Sequence, residues 1–247
     1  MFLIEEDKLI AGAAINYNDI CWIYPLRVKN IFGMGDNKYS TLLGILCLDI
    51  REVQKEMTKL DIAPEKMPKS AFEYLMGQAS VDRTFLVELS EAFSTFIREK
   101  VHFLFETKEI IIGDGIKERR VLNEENFEDF QNIIRAQNCL PTPEPIPLNE
   151  SPMARKFRLR REQVKEAKRK QAARSGEEAS WTDSITTLIC LNVGINYSNV
   201  GDLTIYQFRN LSARAQMKYK YDLDIRMIAA GADPKKIKPK HWFGKLD

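Results

Sequence analysis

The side chains best suited to nucleophilic or metal chemistry are two histidines, His102 and His241, and four cysteines, Cys21, Cys47, Cys139 and Cys190. A serine or cysteine nucleophile needs a base within hydrogen-bond reach and a third group to orient that base. Val101-His102-Phe103-Leu104 reads as part of an apolar helix, and His241 stands beside Trp242 in a basic tail. Neither neighbourhood carries a triad pattern. The two closest cysteines are 26 positions apart, so no CxxC redox or zinc pair exists, and the sequence has no HExxH and no calcium-loop motif. Gly113-Asp114-Gly115 is explained by a β-turn. Gly33-Met34-Gly35-Asp36 lacks the third glycine of a dinucleotide loop and reads as a helix stop. Carboxylate pairs such as Glu88 and Glu91 have the spacing of solvated charge on a helix. These residues point away from an enzyme, and no cofactor or metal is expected.

The concentrated chemistry is cationic. Between Met153 and Arg174 stand ten basic residues, Arg155, Lys156, Arg158, Arg160, Arg161, Lys165, Lys168, Arg169, Lys170 and Arg174, against Glu162 and Glu166 only, a local charge of +8. A helix polar on nearly all sides can be a solvated connector, can dock on an acidic protein surface, or can neutralise nucleic-acid phosphates. Phe157 is the one aromatic within it, which argues against base stacking along a single strand. The second feature is Lys240-His241-Trp242-Phe243-Gly244. Two large aromatics near a terminus either fold back on the preceding domain or anchor in a partner's pocket.

Composition sets the frame for these features. The chain has 247 residues, 44% of them hydrophobic and 29% charged, with a net charge of +2. That supports one or two cores and, taken overall, directs the protein to neither nucleic acid nor membrane. Cys21, Cys47 and Cys190 lie in apolar runs, the habit of free thiols in a reducing compartment. The start, Met1-Phe2-Leu3-Ile4-Glu5-Glu6-Asp7, is acidic and unlike a signal peptide, so the protein is expected to stay where it is made. The longest apolar run, Leu42 to Leu48, is far short of the roughly 20 residues that span a bilayer.

Several elements must position these residues. Leu9–Ile15 and Ile20–Tyr24 read as a hairpin around Asn16-Tyr17-Asn18-Asp19, ended by Pro25. A short helix over Val28–Phe32 is closed by Gly33 and Gly35. Tyr39, Leu43, Leu46, Ile50, Val53, Met57 and Leu60 alternate four and three apart, as on one long helix with a coiled-coil-like seam. Helices are expected at Ser70–Gly77 and Arg83–Glu106, then strands at Glu109–Ile112 and Ile116–Leu122, then a helix capped by Asn123 and running to Gln137. The two strand–turn–strand–helix units could share one small sheet. Leu140-Pro141-Thr142-Pro143-Glu144-Pro145-Ile146-Pro147 is an extended boundary. Ser151 and Pro152 open the basic helix, and Ser180 or Thr182 caps a helix to Leu191. A long helix from Asn199 or Asp202 to Ala230 is expected to bury Phe208, Leu211, Ala215, Tyr219, Leu223 and Met227 and to stop at Gly231.

The stretch Asn18-Asp19-Ile20-Cys21-Trp22-Ile23-Tyr24-Pro25-Leu26, followed by Lys29-Asn30-Ile31 and Asn37-Lys38-Tyr39 before an apolar helix, resembles the opening of tailed-bacteriophage tail or baseplate assembly proteins. Leu203-Thr204-Ile205-Tyr206-Gln207-Phe208 through Ala229-Ala230-Gly231-Ala232 is similar to the same group. The two stretches cover about a third of the chain, and neither is a catalytic signature. The resemblance implies a phage protein, located in the virion or in the host cytoplasm during assembly. It would build the tail baseplate or hub, or act there as an assembly chaperone. Its partners would be other tail and baseplate proteins, tape-measure or hub components among them.

The expected protein is therefore a predominantly helical α+β chain. Small β-hairpins and helices form an N-terminal domain over residues 1–138, a proline-rich linker and basic helix span 139–177, and a helical domain with a basic tail covers 178–247. Its partner-binding residues are expected to be Arg155, Arg158, Arg160, Arg161, Lys165, Lys168, Arg169, Trp242 and Phe243, with the Tyr39–Leu60 seam as a further contact surface. The alternative is a nucleic-acid-associated protein that uses residues 155–174.

Overall fold

The computed structural model describes residues 2–114, 119–143, 151, 153, 156–158, 160–161, 164, 167, 180–191 and 194–243. They form a predominantly helical α+β protein with two small antiparallel sheets. The chain divides into two compact units, each discontinuous in sequence: Met1–Thr142 with Ser198–Ala213, and Pro143–Tyr197 with Arg214–Asp247.

The first unit opens with helix α1 (Glu6–Ala11), a correction to the expected strand from Leu9. Gly12 stops α1 at φ 66, and its N–H donates to the Leu9 carbonyl at 3.1 Å. A Cβ there would approach Thr204 Cγ2 to 2.9 Å, so both conformation and space favour glycine. The hairpin follows as β1 (Ile15–Tyr17) and β2 (Cys21–Ile23). Asn18 and Asp19 carry its turn at φ 49 and 57, a left-handed pair that these two residue types tolerate. Helix α2 (Val28–Met34) runs through Gly33, past the expected end at Phe32, and stops at Gly35.

The single seam helix expected over Tyr39–Leu60 is instead two helices, α3 (Asp36–Leu46) and α4 (Ile50–Lys59). Asp49 makes the break, because its carboxylate accepts from the Arg51 backbone N–H at 3.0 Å and starts a new helix. Tyr39, Leu42, Leu43 and Leu46 are buried, whereas α4 buries nothing and Leu60 is exposed.

Helices α5 (Ala71–Val81) and α6 (Arg83–Ile97) are separated by Asp82 alone, which caps α6 by accepting from the N–H groups of Thr84 and Phe85. The expected continuation of α6 to Glu106 fails at Arg98, which turns left-handed at φ 59 while its guanidinium lies 4.3 Å from the Tyr24 ring centre. Val101–Leu104 is then strand β3, so His102 stands exposed on a sheet and not in a helix. It pairs with β4 (Glu109–Ile112), which pairs with β5 (Arg120–Leu122). This sheet is separate from the β1–β2 hairpin, so the two units of the sequence do not share one.

Helix α7 (Phe127–Gln137) starts later than expected, because Asn123 shapes a turn before it and accepts from the N–H groups of Glu125 and Asn126. Phe72, Phe93, Phe127 and Phe130 form the centre of the core, with successive ring centroids 5.3 to 6.4 Å apart. Burying one such ring contributes about 1.5–3 kcal/mol. The segment from residue 198 joins this unit through an isolated bridge between Arg27 and Thr204, flanked by Val28 N–H to Leu203 O at 2.9 Å and Ile205 N–H to Leu26 O at 3.0 Å.

The second unit contains α8 (Trp181–Cys190), which starts at Ser180 as expected. Ser180 Oγ accepts from Asp183 N–H at 3.1 Å, and the Asp183 carboxylate accepts from Ser180 N–H at 3.2 Å. Helix α9 runs from Ile205 to Ala229, with residues 205–213 in the first unit and 214–229 in the second. Thr204 caps it through reciprocal bonds with Gln207 at 3.2 and 2.9 Å, in place of the expected Asn199 or Asp202. Gly231, at φ 101, follows its end, and α10 (Pro234–Ile237) begins behind the Asp233 cap.

Candidate partner-binding surfaces

Trp242 and Phe243 follow α10, in the second unit. The tail is tied to α9 at two points. Arg214 Nη1 donates to the Trp242 carbonyl at 3.2 Å, and the His241 ring lies 5.1 Å from Tyr221 at an interplanar angle of 29°. His241 then meets Phe243 at 4.7 Å, and Trp242 meets Phe243 edge-on at 5.9 Å and 80°. The result is a row of four rings that begins on α9 and ends in solvent, with Phe243 68% exposed and Trp242 36%. Of the two alternatives in the sequence, folding back or anchoring in a partner's pocket, the structure shows the tail folded back on α9 with Phe243 left largely in solvent.

In the basic segment, Lys156, Phe157, Arg158, Arg160 and Arg161 are helical. Lys156, Arg160 and Arg161 are exposed and Arg158 is half-buried. Arg155, Lys165, Lys168 and Arg169 lie outside the described residues. The adjoining Met153, Phe157 and Val164 are exposed apolar side chains, so this segment presents both charge and grease.

In the first unit Cys21 is buried and Cys47 half-buried, while Cys139 and His102 are exposed. Burial pushes the Cys21 thiol up from 9.0 to about 12, the nearby Glu99 charge adding to the effect and Arg120 opposing it. Burial likewise carries Cys47 to about 12 against the pull of Arg135. Thiols so shifted are protonated near neutrality and are poor nucleophiles. Burial also raises Tyr17 from 10.0 to about 12; its hydroxyl donates to the Asn126 carbonyl at 2.6 Å. Among the described residues no group of three or more His, Cys, Asp and Glu side chains is arranged to hold a metal ion. No described helix is long and apolar enough to cross a membrane.

Sequence reasoning missed the polar side chains that α7 buries. Gln131 Nε2 donates to the Leu46 carbonyl at 2.7 Å, Arg135 reaches Cys47 and Leu48, and Gln137 Nε2 donates to the Ile23 carbonyl at 3.1 Å. Tyr39 donates its hydroxyl to Asn138 Oδ1 at 2.9 Å. Each of these α7 side chains satisfies backbone or a hydroxyl of another element, so the cluster is a structural clamp. On paper, Gln131, Arg135 and Asn138 look like an ordinary solvent stripe. Also missed was the exposure of Tyr219, Leu223 and Met227 in the later half of α9, which the sequence placed on its buried face. Phe208 and Ala215, earlier on the same helix, are buried as expected.

No curated protein and no solved structure matches the chain. A family model described as YomV second domain matches residues 169–247, the stretch that contains α8, α9 and the aromatic tail. The match likens that third of the chain to a phage-derived family of Bacillus prophage type.

Proposed function

We propose that this chain is a non-enzymatic structural or assembly protein of a phage tail or baseplate, acting through protein–protein contacts. The observation that carries the proposal is the match of residues 169–247 to a phage-derived domain family. The surfaces within reach of that region support it. A tail that is fixed to α9 yet leaves Phe243 largely in solvent is arranged to insert an aromatic anchor into a partner. The exposed Arg160 and Arg161 supply charge for steering toward an acidic protein surface. Cys21 and Cys47, whose thiols burial holds protonated, are poor nucleophiles, which supports binding over catalysis. The partners in this reading are tail or baseplate components, with the tape-measure and hub proteins first among them. The protein works in the assembling tail, in the host cytoplasm or in the finished particle.

Co-expression with the tape-measure and hub proteins of the same prophage tests this directly. The expected result is co-elution with one of them, weakened about tenfold or more by a Trp242→Ala, Phe243→Ala double variant of unchanged circular dichroism. Two results would overturn the proposal. One is failure to bind any tail component together with absence from purified particles; the other is turnover of a substrate that depends on a defined side chain.

A further inference from the structure

The later half of α9 has two faces with different fates. Met217, Tyr221 and Ile228 are half-buried on the side where His241 and Trp242 attach. Tyr219, Leu223 and Met227, spaced four apart, form a stripe on another side and are 61%, 46% and 46% exposed. A helix turns about 100° per residue, so Lys220 and Asp224 flank this stripe on one edge, while Asp222 and Arg226 flank it on the other. Each edge thus carries one cation and one anion, four residues apart and in opposite order.

We infer that a second copy of this chain covers the stripe, with the two α9 helices antiparallel about a two-fold axis at Leu223. A two-fold perpendicular to the helices brings each edge against its own copy. Leu223 then faces the partner's Leu223, and Tyr219 faces the partner's Met227. On one edge Lys220 stands opposite the partner's Asp224, and on the other Asp222 stands opposite the partner's Arg226. Each rim cation thus has an anion of the second copy on its own edge, about 3 Å away along the helix axis and within reach of its long side chain, at two symmetric places. Asp222, already bonded to Lys218 at 2.6 Å on its own helix, gains a second cation. Opposed helix dipoles and methionine sulfur against a tyrosine ring favour this direction over a parallel pair. The contact is small, so the dimer is weak and concentration-dependent.

Sedimentation velocity of the full chain under reducing conditions, from about 1 to about 300 μM, tests the inference. The expected result is a monomer–dimer equilibrium in that range. Leu223→Glu should raise the dimer dissociation constant at least about tenfold, and so should Lys220→Glu, which sets like charges against each other at two symmetric places. The combined Lys220→Glu, Asp224→Lys chain restores the opposition in the antiparallel pair and should recover most of the lost affinity. In a parallel pair the same double change meets like charge on both edges and recovers nothing. A monomer at every concentration, a dimer indifferent to Leu223→Glu, or a double variant no better than Lys220→Glu overturns the proposal. Each outcome is independent of whether tail proteins bind.

Discussion

Arg135, near the end of α7, donates from Nη2 to the carbonyl oxygen of Cys47, the residue at which α3 stops, over 2.9 Å. The same nitrogen reaches the Leu48 carbonyl at 3.1 Å, and Gln131 supplies the Leu46 carbonyl. The last carbonyls of a helix have no partner within it and carry partial negative charge, so a cation there both satisfies and neutralises them. Arg135 is only 4% exposed, and burial pulls its guanidinium below its ordinary pKa while the neighbouring Cys47 and Asp49 act against that pull.

This relationship predicts a large stability loss. Arg135→Ala removes the donor from two carbonyls, those of Cys47 and Leu48, and should cost about 3 kcal/mol in urea unfolding. Arg135→Lys keeps a charged donor for the two carbonyls but loses the Nη1 bond to Asn132 Oδ1, and should fall between Ala and the native residue. A loss below about 0.5 kcal/mol for the alanine variant would place the α3 terminus elsewhere in the energetics.

The buried thiol and phenol predict alkaline sensitivity. Cys21 and Tyr17 have folded pKa values raised to about 12 from 9.0 and 10.0. The stability associated with a raised pKa is fully present below the unfolded value and is lost as pH rises through the folded one. Unfolding free energy should therefore fall between about pH 9 and 12, by up to about 1.4 kcal/mol per pH unit for each group. Cys21→Ala should flatten its share of that slope. A stability profile for the native chain that stays level to pH 11 would contradict the burial seen for these two groups.

Asp49 predicts the opposite limb. Burial alone would raise its carboxyl, but hydrogen bonds from the Arg51 guanidinium and backbone N–H hold it below the ordinary carboxylate range. Asp49→Ala should cost about 1 kcal/mol at neutral pH through loss of the α4 cap. Because a depressed pKa stabilises only above the unfolded value, the difference between native and variant should shrink as pH falls through the carboxylate range. A gap unchanged down to pH 2 would mean that the charge contributes nothing.

The basic segment separates protein docking from nucleic-acid binding. The native chain should not retard DNA or RNA at about 50 mM salt, and a chain with Arg158, Arg160 and Arg161 changed to Glu should lose affinity for a tail partner. Retardation that weakens by decades between about 50 and 200 mM salt, and vanishes in the reversed chain, would instead assign the segment to phosphates.

Several features were legible in the chain itself. Ser180 announces a helix start, because a short side-chain acceptor before an apolar period satisfies free N–H groups whatever surrounds it, and the starts expected near Ser70 and Arg83 are held in the same way by Ser70 and Asp82. The Asn18-Asp19 turn and the stops at Gly35 and Gly231 are equally local. The candidate surface was legible mostly as composition: the cations and the Trp-Phe pair were visible, with folding back of the pair as one alternative, but not that Arg214 and Tyr221 would hold it.

Local chemistry alone thus decided the caps, the turns and the helix-rich class. Tertiary structure decided where α6 yields to β3, since Val101–Leu104 suits helix or strand and only pairing with β4 settles it. It also decided which apolar residues are inside. Periodicity assigns Leu43 and Leu223 to helix faces equally well, but a face is buried only where another element stands against it, and no residue on the helix encodes that neighbour. For the same reason Arg135 reads as solvent-facing in the chain and sits in the core, drawn there by carbonyls that a distant helix leaves unpaired.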